Sequence, residues 1–128
     1  MTTFREAIEA RNIDVVGGML ADDVVFISPV AHRPYSGKAI TVALLRAVVE
    51  VFDDFHYTGE LEGDYTHAYV FRAKVDGLDI TGCDFLTYGP DGQITEFMVM
   101  VRPLRAAEAL AARMGERFEA IKAAANAD

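Results

Sequence analysis

The sequence predicts an α+β fold: a cone made by a strongly bent, mainly antiparallel sheet wrapped around N-terminal helices, with one more helix at the C-terminus. Three observations lead there. Apolar residues over the first half recur at steps of three and four, whereas from Asp54 they alternate at a step of two. Three turn signals, Gly63-Asp64, Asp76-Gly77 and Gly89-Pro90-Asp91-Gly92, cut the alternating stretch into four strand-length runs. Helices gathered ahead of a strand meander, with another behind it, segregate to one side of a sheet rather than interleaving with its strands.

The elements follow in order. Thr3 and Glu6 have capping-box spacing, and Phe4, Ala7 and Ile8 then share one face of a first helix reaching about Asn12. Asp14 is expected to cap a second short helix carrying Val15, Val16, Met19 and Leu20, which ends at Asp22-Asp23. Val24 to Ile27 form a short strand broken by Ser28-Pro29, and Pro34 to Gly37 form a loop. After Ser36, the positions Ile40, Leu44, Leu45, Val48 and Phe52 are spaced for an amphipathic third helix. The turn signals place strands at 54–62, 65–76, 78–88 and 93–102. In the first of these, Phe55, Tyr57 and Leu61 alternate against His56, Thr58 and Glu60. After Pro103, the residues Leu104, Ala107, Leu110, Met114, Phe118 and Ile121 make a C-terminal helix, and the tail AAANAD has nothing to bury and is expected to fray.

With 128 residues, 52% of them hydrophobic, the chain reads as a single domain over 1–128. Twelve Lys and Arg against twenty Asp and Glu give a net charge of −8, so neither nucleic acid nor an anionic membrane is an expected partner. A single cysteine, Cys83, permits no internal disulfide and fits a reducing compartment. The charged start and the lack of a long apolar run lead to the expectation of a cytoplasmic protein. The histidines and acids show no metal-ligand spacing, so no metal and no cofactor are expected.

Strand alternation supplies the candidate site. Tyr69, Phe71 and Ala73 face one way and Val70, Arg72 and Lys74 the other; Phe97, Val99 and Val101 oppose Met98, Met100 and Arg102. Tyr57, Tyr69, Phe71, Phe97, Val99 and Val101, with Phe4 on the facing helix, would line an apolar pocket suited to a small ligand, or else fill the cone with plain core. Asp84 is the polar point inside that wall. No lysine or arginine occurs between Lys74 and Arg102, so desolvation is expected to raise its pKa; a structural ion pair is the alternative. Ser28 either meets a ligand or closes a turn, and His32 stands either at a pocket mouth or in a solvated loop. His56 and His67 are read as outward surface residues. The run Phe97-Met-Val-Met-Val101 is apolar on both faces, and a second subunit is the economical cover for the outer one, giving a homodimer.

The stretch ADDVVFISPV from Ala21 to Val30, followed by Arg33-Pro34-Tyr35-Ser36-Gly37, resembles the nuclear transport factor 2-like superfamily. Within it the chain looks most like SnoaL-like polyketide cyclases and steroid Δ-isomerases. Gly82-Cys83-Asp84-Phe85 and Asp91-Gly92-Gln93-Ile94-Thr95-Glu96 fit the same pattern, so the resemblance covers about residues 4 to 103. It implies a site built from an aspartate base, a tyrosine and a protonated aspartic acid. At the matching positions this chain has Ser28 for the base and Phe4 for the tyrosine, and keeps the acid as Asp84. Three functions follow as expectations: binding of a small, largely apolar molecule; an isomerase, cyclase or hydrolase with Asp84 as general acid or base; or a dimerisation module with a filled cone, whose surface is Met98, Met100 and the C-terminal helix.

Overall fold

The computed structural model describes residues 2–127. The helices are α1 (Phe4–Glu9), α2 (Ile13–Met19), α3 (Lys38–Val51), α4 (Leu104–Glu116) and α5 (Phe118–Ala125). The strands are β1 (Leu20–Ile27), β2 (Tyr35–Ser36), β3 (Asp53–Glu62), β4 (Thr66–Val75), β5 (Leu78–Tyr88) and β6 (Ile94–Arg102). All six strands form one sheet in the order β2-β1-β6-β5-β4-β3. It is antiparallel throughout except where β1 runs parallel to β6. This is the α+β cone that the sequence predicts.

Several elements form for the expected reasons. The Thr3 and Glu6 capping box is complete: Thr3 Oγ1 accepts from the Glu6 N–H at 3.1 Å, and Glu6 Oε1 accepts from the Thr3 N–H at 3.0 Å. Between β4 and β5, Asp76 and Gly77 both take the left-handed conformation (φ 52° and 78°) that a tight two-residue hairpin turn requires. The core lies between the concave face of the sheet and the helices, where Phe71, Phe97, Ile80, Leu86 and Ile94 are almost wholly buried.

Five expectations need correction. The side chain capping α2 is Asn12, which accepts from the Val15 N–H at 3.3 Å; one residue of left-handed backbone at Arg11 brings it there, and Asp14 instead pairs with Arg46. That helix stops at Met19, and β1 begins at once with Leu20 instead of Val24. Within the expected loop, Tyr35 and Ser36 form a short strand on Val25 and Phe26. Leu61 faces solvent, because a bulge between Tyr57 and Gly59 reverses the alternation: Glu60 now opposes inward Tyr69, and Leu61 opposes outward Ala68. The C-terminal segment is broken at Arg117, remains helical through Ala125, and packs with α3 and the concave side of the sheet. Its Leu110 and Ile121 are buried there, so this helix does not share the outer surface with Met98 and Met100; of the tail expected to fray, only Asp128 lies outside the described residues.

Candidate functional site

Inside the cone lies an apolar cavity of about 210 Å³, walled by Phe26, Phe71, Phe97 and Val99 from the sheet and by Leu44, Leu45 and Val48 from α3. The segment Ser28 to Ala31, Phe52 and Phe55 extend the wall, and Leu110, Met114, Phe118 and Ile121 close it from the C-terminal side. The cavity exceeds the apolar voids of about 150 Å³ that stay dry and admit an aromatic ring.

Asp84 is the one carboxyl among the side chains that line that wall. Register explains its placement: it sits between inward Tyr69 on β4 and inward Val99 on β6, on the strand face it shares with Gly82 and Leu86. It is only 6% exposed. The Tyr57 hydroxyl donates to Asp84 Oδ2 at 2.6 Å. No other side-chain hydrogen bond reaches the carboxyl, yet no fully buried side-chain oxygen among the described residues lacks a partner, so Oδ1 keeps its surface in the cavity. Burial pushes the carboxyl from 3.8 up to about 7, and the Tyr57 hydrogen bond offsets only part of that; no cation acts on it. The Tyr57 phenol is in turn pushed well above its usual range, first by burial and then by the neighbouring carboxyl.

Because the Tyr57 hydroxyl occupies Oδ2, a neutral Asp84 would carry its proton on Oδ1, the oxygen with no side-chain partner. The site therefore offers a buried hydrogen-bond donor below about pH 7 and an acceptor above it. Ser28 is a second polar point. Its Oγ accepts from the Val30 N–H at 3.2 Å, so it closes a turn and still has its own hydrogen free. It follows Ile27, the partner of Met98, which places it across β6 from Asp84.

Of the residues the sequence singled out, Asp84, Ser28, Phe71, Phe97 and Val99 meet at the cavity. Phe4, Tyr57, Tyr69 and Val101 do not line it. The first three form a buried aromatic partition: the Phe4 ring lies 5.2 Å from Tyr69, 6.4 Å from Tyr57 and 5.6 Å from Phe97. Behind it is a more polar groove lined by Arg5, Glu60, Glu62, His67 and Tyr88, where Arg5 holds Glu60 at 3.0 Å. His67 thus faces inward, as its spacing of two from Tyr69 requires, and packs on Tyr88 at 4.8 Å; His56 is exposed as expected. His32 is exposed and off the cavity wall, since the chain turns outward after Ala31. The sequence reading missed Phe26, Tyr35, the α3 face and the C-terminal wall. Phe26 was legible as the inward alternate of β1, and Leu110, Met114, Phe118 and Ile121 as one helical stripe. No cluster of three metal-ligating side chains occurs among the described residues, and none of their helices is long and apolar enough to cross a membrane.

Residues 1–97 match the family model described as a SnoaL-like domain. Among solved structures, a steroid delta-isomerase from Pseudomonas aeruginosa is 35% identical, with 92% of this chain and 88% of that one covered and a TM-score of 0.85. A protein with a cystatin-like fold from Silicibacter pomeroyi is 28% identical over 94% of this chain and 89% of that one, with a TM-score of 0.84. A protein with a ketosteroid isomerase-like fold from Catenulispora acidiphila, at 13% identity, a TM-score of 0.63 and coverage of 85% and 88%, shares the fold alone. No curated protein matches the chain. The matched stretch ends at Phe97, so the C-terminal wall of the cavity lies beyond it. With three quarters of its length in that match and its fold shared with these structures, the chain belongs to the SnoaL-like domain family of the nuclear transport factor 2-like superfamily.

Proposed function

We propose that the chain binds a small, largely apolar molecule carrying one hydrogen-bond-accepting oxygen, such as a ketone, with the protonated Asp84 carboxyl as the donor to it. The observation that carries this reading is a single buried carboxyl, anchored on one oxygen by Tyr57, in a mainly apolar wall. An apolar wall supplies affinity, and one fixed polar group supplies orientation. The similar protein from Pseudomonas aeruginosa is named a steroid delta-isomerase, which makes a 3-oxosteroid one natural probe and a substituted cyclohexanone a smaller one.

Calorimetric titration with both ketones at pH 5.5 and pH 8.5 tests the reading. Binding is expected to weaken at the higher pH, where Asp84 loses the proton it donates. Asp84→Asn keeps an N–H donor and should keep part of the affinity while abolishing its pH dependence; Asp84→Val should abolish binding. Affinity indifferent to both substitutions and to pH counts against the proposal.

A second reading makes Asp84 a general acid or base in an isomerase, cyclase or hydrolase, favoured by a carboxyl that titrates near 7. The resemblance places Ser28 and Phe4 where the steroid isomerases carry a base and a phenol, so isomerisation by that mechanism lacks its proton carrier. Turnover of a 3-oxo-5-ene steroid by the wild type, abolished in Asp84→Asn, would favour this second reading over binding alone.

A further inference from the structure

The groove behind the aromatic partition is a second concavity, of about 440 Å³, that the Asp84 cavity does not use. Tyr69, only 6% exposed, is its buried end, and Glu60, Glu62, His67 and Tyr88 stand along its sides. The bulge in β3 builds it. By plain alternation from Tyr57, Leu61 would face inward and Glu60 and Glu62 outward. The register shift between Tyr57 and Gly59 reverses this: Glu60 comes to lie beside Tyr69 and Glu62 beside His67, while Leu61 is left 70% exposed. Exposing a leucine to turn two carboxylates toward aromatic rings runs against packing alone. Bulges are enriched beside functional sites, where they re-aim side chains.

The charges in the groove do not balance. Arg5 is already engaged: it donates to Glu60 Oε1 at 3.0 Å and to the Tyr57 carbonyl oxygen at 3.1 Å, and it pairs with Glu9 at 3.5 Å. Glu62 makes no ion pair among the described residues. One arginine against two carboxylates leaves a negative charge unanswered. That charge faces rings: burial raises both the Tyr69 and the Tyr88 phenol, and the Glu62 carboxylate pushes each further. His67 lies 4.8 Å from the Tyr88 ring and 6.5 Å from that of Tyr69. The Tyr69 hydroxyl has that of Tyr88 as its side-chain partner, and two phenols joined by one bond leave one hydroxyl hydrogen without an acceptor.

We propose that this groove is a second binding site, for a small organic cation of the substituted-ammonium type that also carries an oxygen acceptor, held against the Tyr69 and Tyr88 rings beside Glu62. Such a cation is attracted both by the faces of aromatic rings and by a nearby carboxylate. An anion would meet the unanswered carboxylate, since Arg5 has its partners already. A metal ion would lack a third ligand, because no cluster of three metal-ligating side chains occurs among the described residues. The volume falls within the range of small-molecule sites, about 300–1,000 Å³.

Calorimetric titration with choline at low salt tests the proposal, with 3,3-dimethylbutan-1-ol as the uncharged compound of the same shape. Choline is expected to bind, and its isostere at least tenfold more weakly. Glu62→Gln should weaken choline about fivefold and Tyr88→Leu about tenfold, while Glu62→Lys should abolish binding. Glu62 is exposed, and circular dichroism verifies that its variants are folded. Amide chemical shifts should move at 60–62, 67–69 and 88 and stay unchanged in α3, which lines the Asp84 cavity on the other side of the partition. Choline binding weaker than about 10 mM, an isostere that binds equally well, affinity indifferent to Glu62→Lys and Tyr88→Leu, or shifts confined to α3 would each overturn the proposal.

Discussion

The two faces of the sheet are built from alternate residues of the same strands, and they treat polarity in opposite ways. Tyr69, Phe71, Asp84 and Phe97 look inward; Val70, Phe85, Met98 and Met100 look outward. Both faces are mainly apolar. On the inner face the one carboxyl of the cavity wall is almost wholly buried, and burial raises it to about 7. On the outer face the charges of Glu96, Arg72 and Arg102 stand at the margins, where water reaches them. Position within an apolar field, more than residue type, decides whether an acid becomes a titrating donor or an ordinary solvated charge.

The largest test of this contrast is Phe97→Ala beside Met98→Ala. Phe97 is 1% exposed and touches the rings of Phe4 and Phe26, so its loss should cost about 3–5 kcal/mol in urea denaturation. Its outward neighbour should cost about 1 kcal/mol or less. Equal losses would erase the distinction between the faces.

Next in size is the acid itself. Asp84 keeps its proton in the native state up to about 7 but loses it near 3.8 when unfolded, so the native state binds more protons between those values. Stability therefore falls as pH rises from about 4 to about 7 and is level beyond, by on the order of 4 kcal/mol. Asp84→Asn should flatten that slope and melt higher than the wild type at pH 8. A wild-type stability that climbs over this range on account of Asp84 would show that a cation stabilises the carboxylate.

Gly82→Ala comes third. A Cβ there would collide with the Phe71 ring and lie 2.8 Å from the Met100 carbonyl oxygen, so about 1–3 kcal/mol should be lost. Cys83→Ala, one residue along on the outer face, should change little. Smallest is Tyr57→Phe, which deletes one hydrogen bond worth about 1 kcal/mol. Because that bond lowers the Asp84 pKa, carbon-detected titration should find the carboxyl above its wild-type value in this variant.

The sequence was most informative where a rule is local. Turn residues such as Asp76-Gly77, the Thr3 and Glu6 capping box, and the parity of Tyr69, Phe71, Phe97 and Asp84 all depend on neighbours a few positions away. It was least informative where geometry accumulates. Alternation tells which face a side chain takes, but not how deep along the curved strand it lies. Tyr69 and Phe71 are equivalent by parity, yet Phe71 reaches the cavity and Tyr69 reaches the groove beyond the partition. The bulge that turned Leu61 outward carries no Gly-Asn or Pro signature that would separate it from an ordinary strand glycine at 59. The C-terminal wall was visible as an amphipathic stripe, but which surface it covers depends on the break at Arg117.

The pairing of β1 with β6 bears on the order in which the chain assembles. Strands β3 to β6 are joined by short hairpins and can zip up locally, whereas β1 must find its parallel neighbour across all of residues 28–93. Closing so long a loop is entropically late in folding. Phe26 and Ser28 belong to that late strand and Asp84 to the early meander, so the cavity does not exist until the final docking step. A ligand would then act as a clasp on the last event of folding. In native-state hydrogen exchange, β1 amides should open at a lower free energy than those of β4 and β5, and a bound ketone should slow β1 first.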